Sequence, residues 1–105
     1  MSIYQAVEKA MHGQDPDKYI GLLHGEFQFV RHQFRTTMDK SAMAEMIRRM
    51  VASGGMAIHD QRCLYENADI MVEHSVMDFP DGTREAVMAV HMLKDGKIIR
   101  TVGAS

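Results

Sequence analysis

The chain has 105 residues, 46% of them apolar and 25% charged, with a formal net charge of −2. That length predicts one domain spanning 1–105 and excludes a multi-domain machine, while the apolar fraction excludes a solvated disordered chain. With no basic surplus and no charge run, the composition argues against a nucleic-acid partner. Eleven methionines stand against four Phe, three Tyr and no Trp, so much of the interior is flexible thioether rather than rigid ring.

Cys63 is the only cysteine, which excludes an internal disulfide and a paired-cysteine metal site. In a strand-like run it reads as a buried, inert small hydrophobe. The first residues, MSIYQAVEKAMHG, lack the basic and apolar regions of a signal peptide, and no apolar run approaches the roughly 20 residues of a membrane span. The expectation is a cytoplasmic chain without membrane contact.

In chain order, Ser2-Ile3-Tyr4-Gln5 has capping-box form and opens a helix with Ile3, Val7, Ala10 and Met11 on one face. Gly13 is placed to supply a left-handed stop. Asp15 as N-cap and Pro16 at the first helical position start a second helix, whose stripe of Tyr19, Ile20, Leu22 and Leu23 runs to Gly25. Phe27 and Phe29 alternate with polar neighbours in a short strand over 26–34. Asp39 caps a third helix bearing Met43, Met46, Ile47 and Met50, closed by Ser53-Gly54-Gly55. The period then falls to two. Turn signals at Asn67-Ala68, Pro80-Asp81-Gly82-Thr83 and Asp95-Gly96 divide an antiparallel meander into strands at 56–66, 69–79, 84–94 and 97–103.

Two-residue hairpin loops fix a register by counting. Arg62 then faces Glu73, Gln61 faces His74, Val76 faces Val87, and His91 lies between Val72 and Arg100. One face collects Ile58, Asp60, Arg62, Leu64, Met71, Glu73, Ser75, Met77, Met88, Val90, Met92, Ile99 and Thr101. The other carries His59, Cys63, Tyr65, Val72, His74, Val76 and His91. Both faces are largely apolar, so the helices should cover one and a second copy of the chain the other.

The order helix, helix, short strand, helix, long meander resembles the NTF2-like superfamily, its SnoaL-like and ketosteroid-isomerase-like group. The carriers are Gly13-Gln14-Asp15-Pro16-Asp17, Phe27-Gln28-Phe29-Val30-Arg31-His32-Gln33 and His91-Met92-Leu93-Lys94-Asp95-Gly96-Lys97-Ile98-Ile99-Arg100. The resemblance implies an α+β cone: three N-terminal helices packed on a curved antiparallel sheet, with a pocket at the wide end. Where steroid isomerases carry a tyrosine and two aspartates, ungapped comparison finds Val7, Arg31 and Val90. None of these can do that work, so steroid isomerisation by that route is not expected.

The same comparison makes the face with Met88, Val90, Met92 and Thr101 the pocket wall, with Phe27 and Phe29 beside it and Asp60, Arg62, Glu73, Arg31 and His32 as its polar groups. Asp60 or Glu73 would serve as a base, and Arg31 or Arg62 would orient or stabilise negative charge. The competing reading is a structural ion-pair ladder. On the other face His59, His74 and His91 step diagonally across three strands, with Cys63 in the row of His91. Val72 and Val76 interrupt any closed ligand set, so no metal is expected, and neutral histidines at a dimer interface account for the row.

The sequence therefore predicts a domain that binds a small apolar or weakly anionic ligand in a methionine-rich pocket. Its chemistry, if it has one, is acid–base isomerisation, cyclisation, dehydration or hydrolysis without a cofactor. The alternative is a non-catalytic ligand-binding or dimerisation module.

Overall fold

Local signals set the helix starts. In α1 (Ile3–His12) the Ser2 hydroxyl accepts from the Gln5 amide at 3.1 Å, and the Gln5 side chain accepts from the Ser2 amide at 3.0 Å. Asp15 caps α2 (Pro16–Gly21) through the Lys18 amide at 3.1 Å, with proline in the first turn. Asp39 caps α3 (Lys40–Ala52) through the Ala42 amide at 2.8 Å. These four contacts satisfy amides that a helix start leaves orphaned. The computed structural model describes residues 2–31, 36–54, 57–79 and 81–104.

The helix ends are less local. Gly13 stays right-handed at φ −77° and still donates to the Lys9 carbonyl, so the left-handed residue is Gln14, at φ 49°. The second helix stops at Gly21, four residues before Gly25, because Leu23 already belongs to a strand. Ile98 donates its amide to the Leu22 carbonyl at 2.8 Å, and the Lys97 ammonium donates to the Gly21 carbonyl at 3.0 Å. A distant segment thus takes the carbonyls that another helical turn would have used.

The strands are β1 (Leu23–Arg31), β2 (Thr36–Asp39), β3 (Ala57–Glu66), β4 (Ile70–Asp78), β5 (Arg84–Lys94) and β6 (Lys97–Ala104). Each meander strand lies within one residue of its expected bounds at either end. The short β2 was not expected; it pairs antiparallel with β1, Phe29 facing Met38. The sheet order is β2-β1-β6-β5-β4-β3. Since β1 and β6 run parallel, the sheet is mixed, which corrects the antiparallel expectation. The cause is non-local: the last strand closes the meander by running back along the first.

Among the described residues the architecture is α+β, a curved mixed sheet with three helices against it. α1 lies on β3 and β4, and α3 lies on β1 and β2. Between the layers sits a core of Val7, Leu23, Phe27, Met43, Met71 and Ile98, each at most 6% exposed. Burying a side chain such as Phe27 or Leu23 stabilises by roughly 1.5–3 kcal/mol. No helix among the described residues is long and apolar enough to cross a membrane.

Candidate functional site

The site depends on which residues face the helices, and register decides that. Asp95 and Gly96 form the expected two-residue connection between β5 and β6, at φ 54° and 74°. Between β4 and β5 the connection is odd. The Phe79 amide donates to the Thr83 carbonyl at 2.8 Å, leaving 80–82 as the loop, with Gly82 at φ 88°. A three-residue loop with glycine in the left-handed position is a standard hairpin closure, and it moves the register by one. Val76 therefore faces Ala86, not Val87. A one-residue shift turns every side chain of the following strand to the opposite face.

Two irregularities in the ladders complete the rearrangement. Between β5 and β6, Leu93 faces Ile98 but Met92 faces Arg100, so Ile99 is an extra residue and His91 faces Thr101. Between β3 and β4, Ile58 faces Met77 as expected, whereas Arg62 faces His74 and Cys63 faces Glu73. Asp60 stands in that irregular stretch with φ 51°. Bulges of this kind re-aim the side chains that follow them.

These shifts overturn part of the expected pocket wall. Met88 and Met92, each 43% exposed, lie on the outer face, and Val90 shares it by alternation. Arg62 is exposed beside His74 on that outer face and cannot pair with Glu73 across the ladder; Asp60 is exposed at its bulge. The diagonal of histidines is broken as well, since His59 and His74 face outward and His91 inward. Cys63 is exposed rather than buried, because β3 is the edge strand. Phe27 is core, Phe29 packs against the core, and Arg31 stands opposite Gly103 and Thr36 in the backbone register. His32 lies outside the described residues.

The inner face holds a different constellation. Glu73 is 4% exposed, His91 1% and Thr101 2%, with Ser75 buried beside them. His91 Nδ1 and Thr101 Oγ1 are hydrogen-bonded at 2.7 Å. On the other side of the ring, Nε2 lies 3.5 Å from Glu73 Oε1, close enough for charge interaction but outside hydrogen-bond geometry. Glu73 Oε2 and His91 Nε2 are buried with no hydrogen-bond partner among the described residues. Unpaired buried polar atoms of this kind are costly. Ala89 occupies the same row as Glu73, so the side chain next to the carboxylate is a single methyl group.

The charge of Glu73 acts on three ionisable groups. Burial, a hydrogen bond to Glu8 and the charges of Glu8 and Glu73 push the Tyr4 phenol up to about 12. Burial and the charge of Glu73 push Tyr19 upward too. The Cys63 thiol is raised by desolvation and by the charges of Glu66 and Glu73, against a lowering backbone contact at Tyr65. Among the described residues, His91 is the only charge-bearing partner within 4.0 Å of the Glu73 carboxylate. No three described His, Cys, Asp or Glu side chains come together as a metal-binding group.

Sequence reasoning set Glu73 and Thr101 on one face but put His91 on the other. The signal that would have found it was Gly82 as the last of three loop residues, the mark of an odd hairpin.

No family model and no curated protein matches the sequence. Solved structures do. An NTF2-like protein of unknown function from Burkholderia xenovorans superposes with a TM-score of 0.77 at 11% identity, over 95% of this chain and 77% of that one. A hypothetical protein with a ketosteroid-isomerase-like fold from Catenulispora acidiphila, in complex with trimethylamine, gives 0.71 at 16% identity, over 100% and 87%. An LEH-like epoxide hydrolase from M. tuberculosis gives 0.71 at 18% identity, over 94% and 76%. At these identities the likeness carries architecture and no particular activity. The chain has the NTF2-like fold, the one it shares with ketosteroid-isomerase-like proteins.

Proposed function

We propose that this protein binds a small, largely apolar molecule against the inner face of its sheet and that the Glu73–His91 pair exchanges a proton with it, without a cofactor. The observation that carries this reading is the pair of buried, unpartnered atoms, Glu73 Oε2 and His91 Nε2, on one apolar wall. The desolvation of such atoms costs stability unless something pairs with them. Apolar surroundings with a few convergent polar groups are what a small-ligand site requires. Thr101 fixes the imidazole from behind, so the ring presents one nitrogen to Glu73 and to whatever lies beside it. That the Catenulispora protein of the same fold holds trimethylamine supports a small-molecule role for this architecture.

The test is a screen of small apolar compounds in D2O by ligand-observed NMR, against wild type, Ala89→Leu and Glu73→Gln. Ala89→Leu, which sets a larger side chain beside the carboxylate, should abolish binding. Glu73→Gln should keep the fold and slow deuterium incorporation into bound compounds by about 100-fold or more. Compounds that bind Ala89→Leu as well as wild type would sink the inner-face reading.

A second reading concerns the outer face. Tyr65, Met88 and Met92 are 43–57% exposed there, an apolar surface suited to a second copy of the chain. In this reading the outer face is a homodimer interface, and charged replacements at Met88 and Met92 make the protein monomeric by sedimentation.

A further inference from the structure

The inner face also carries information about the charge of its ligand. We infer that the site takes a protonated primary or secondary amine with apolar substituents, its N–H groups donating to Glu73 Oε2 and His91 Nε2. This rests on the reading of the inner face as a ligand site and adds the chemical class.

If His91 Nε2 carried a hydrogen, it would close on the carboxylate in a charge-assisted bond of about 2.7–2.9 Å. Instead Nε2 and Oε1 stand 3.5 Å apart without hydrogen-bond geometry. The matching tautomer has Nδ1–H donating to Thr101 Oγ1, across the 2.7 Å contact already described. Glu73 Oε2 and His91 Nε2 are then both acceptors without a donor, and what pairs with both is a ligand with at least two N–H groups.

The neighbouring groups give the sign of the charge. Cys63 faces Glu73 across the ladder, and its thiol, like the Tyr4 and Tyr19 phenols, is pushed toward the neutral form by burial and by the Glu73 charge. Thr101 and Ser75 are uncharged. The Arg62 guanidinium, the expected grip for an anion, is on the outer face. Among the described residues no lysine or arginine stands within 4.0 Å of the Glu73 carboxylate. A buried carboxylate is stabilised by a cation, and an ammonium supplies charge and donors together. Tyr4 and Tyr19, packed against the core cluster, add aromatic surface that tolerates a cation and its alkyl groups.

The experiment compares four probes sharing one ring: cyclohexylammonium, cyclohexyltrimethylammonium, cyclohexanol and cyclohexanecarboxylate, titrated at neutral pH by protein-observed NMR. Cyclohexylammonium should bind at least about tenfold more tightly than cyclohexanol or the carboxylate, and Glu73→Gln should erase that margin. The trimethylammonium probe, with charge but no N–H, should bind more weakly than the primary amine. Equal binding of the amine and cyclohexanol to wild type overturns the inference and leaves the ligand site standing. Equal binding of the two cations, or a margin that survives Glu73→Gln, overturns it as well. If none of the four shifts inner-face resonances, the site reading itself falls. The wild-type comparisons decide the matter even if the variant fails to fold.

Discussion

The two faces of the sheet are built from the same strands and alternate residues, yet they differ sharply. On the inner face Met71, Glu73, Ser75, Ala89, His91 and Thr101 are all buried beneath the helices. On the outer face Met88 and Met92, one residue away from buried neighbours, are 43% exposed. Chemically similar methionines therefore have different jobs, filling a core on one side and offering a surface on the other. The lesson is that side-chain type sets what a residue can do, and strand parity sets whether it is in a position to do it.

The sharpest contrast should come from truncating one side chain on each side. Phe27→Ala, in the core, should cost about 3–5 kcal/mol in denaturant unfolding, by lost burial and by the cavity left behind. A cost below about 1 kcal/mol would mean that the inner layer is not close-packed. Next in size is Thr101→Val, which keeps the shape but removes the partner of His91 Nδ1. It should cost about 1–3 kcal/mol, with Thr101→Ser restoring most of that loss. No difference between the valine and serine variants would remove Thr101 as the group that fixes the ring.

Outer-face changes should be milder. Met88→Ser and Met92→Ser should each shift the stability of the isolated chain by about 0.5 kcal/mol or less. Sedimentation of the double variant would show whether a dimer depends on that surface. Smallest of all is the ionic clamp where β4 meets β5. There Arg84 donates to the Asp78 carboxylate at 2.6 and 3.0 Å, and His59 meets it at 2.8 Å. These bonds, Arg84 first and His59 second, hold Asp78 well below the usual carboxylate range. The folded state then binds fewer protons than the unfolded state, so the stabilisation exists above about pH 4 and is lost as pH falls through the depressed value. Thermal melts of Arg84→Ala should show a shallower loss of stability on the acid side. A slope equal to that of wild type would mean that the clamp does not form in solution.

Much of the fold was legible because its signals are local. Ser2 with Gln5, Asp15 with Pro16, and Asp39 each act within one helical turn, and each caps the helix expected of it. The Asp95-Gly96 turn is equally self-contained, and the bounds of the meander followed from alternation and turn residues. What failed was long-range. Leu22 and Leu23 carry a helical stripe but are taken by Ile98, and β2 has no pattern of its own beyond pairing with β1. Of the candidate site, Glu73 and Thr101 could be set on one face from the sequence. His91 was misplaced because its facing depends on the loop at 80–82, and Thr101 shares its face only because the extra residue Ile99 shifts the last ladder.

The sequence by itself determined an α+β chain of near-neutral charge, its caps, its meander and its surplus of methionine, all properties of composition or of neighbours along the chain. Only the tertiary structure decided that β1 runs beside β6 and that Glu73, His91 and Thr101 meet under the helices while Met88 and Met92 face outward. The physical reason is the two-residue period of a strand. One added residue in a loop or bulge costs little in backbone energy but exchanges the two faces of everything that follows. Where that residue is absorbed depends on how the whole sheet packs.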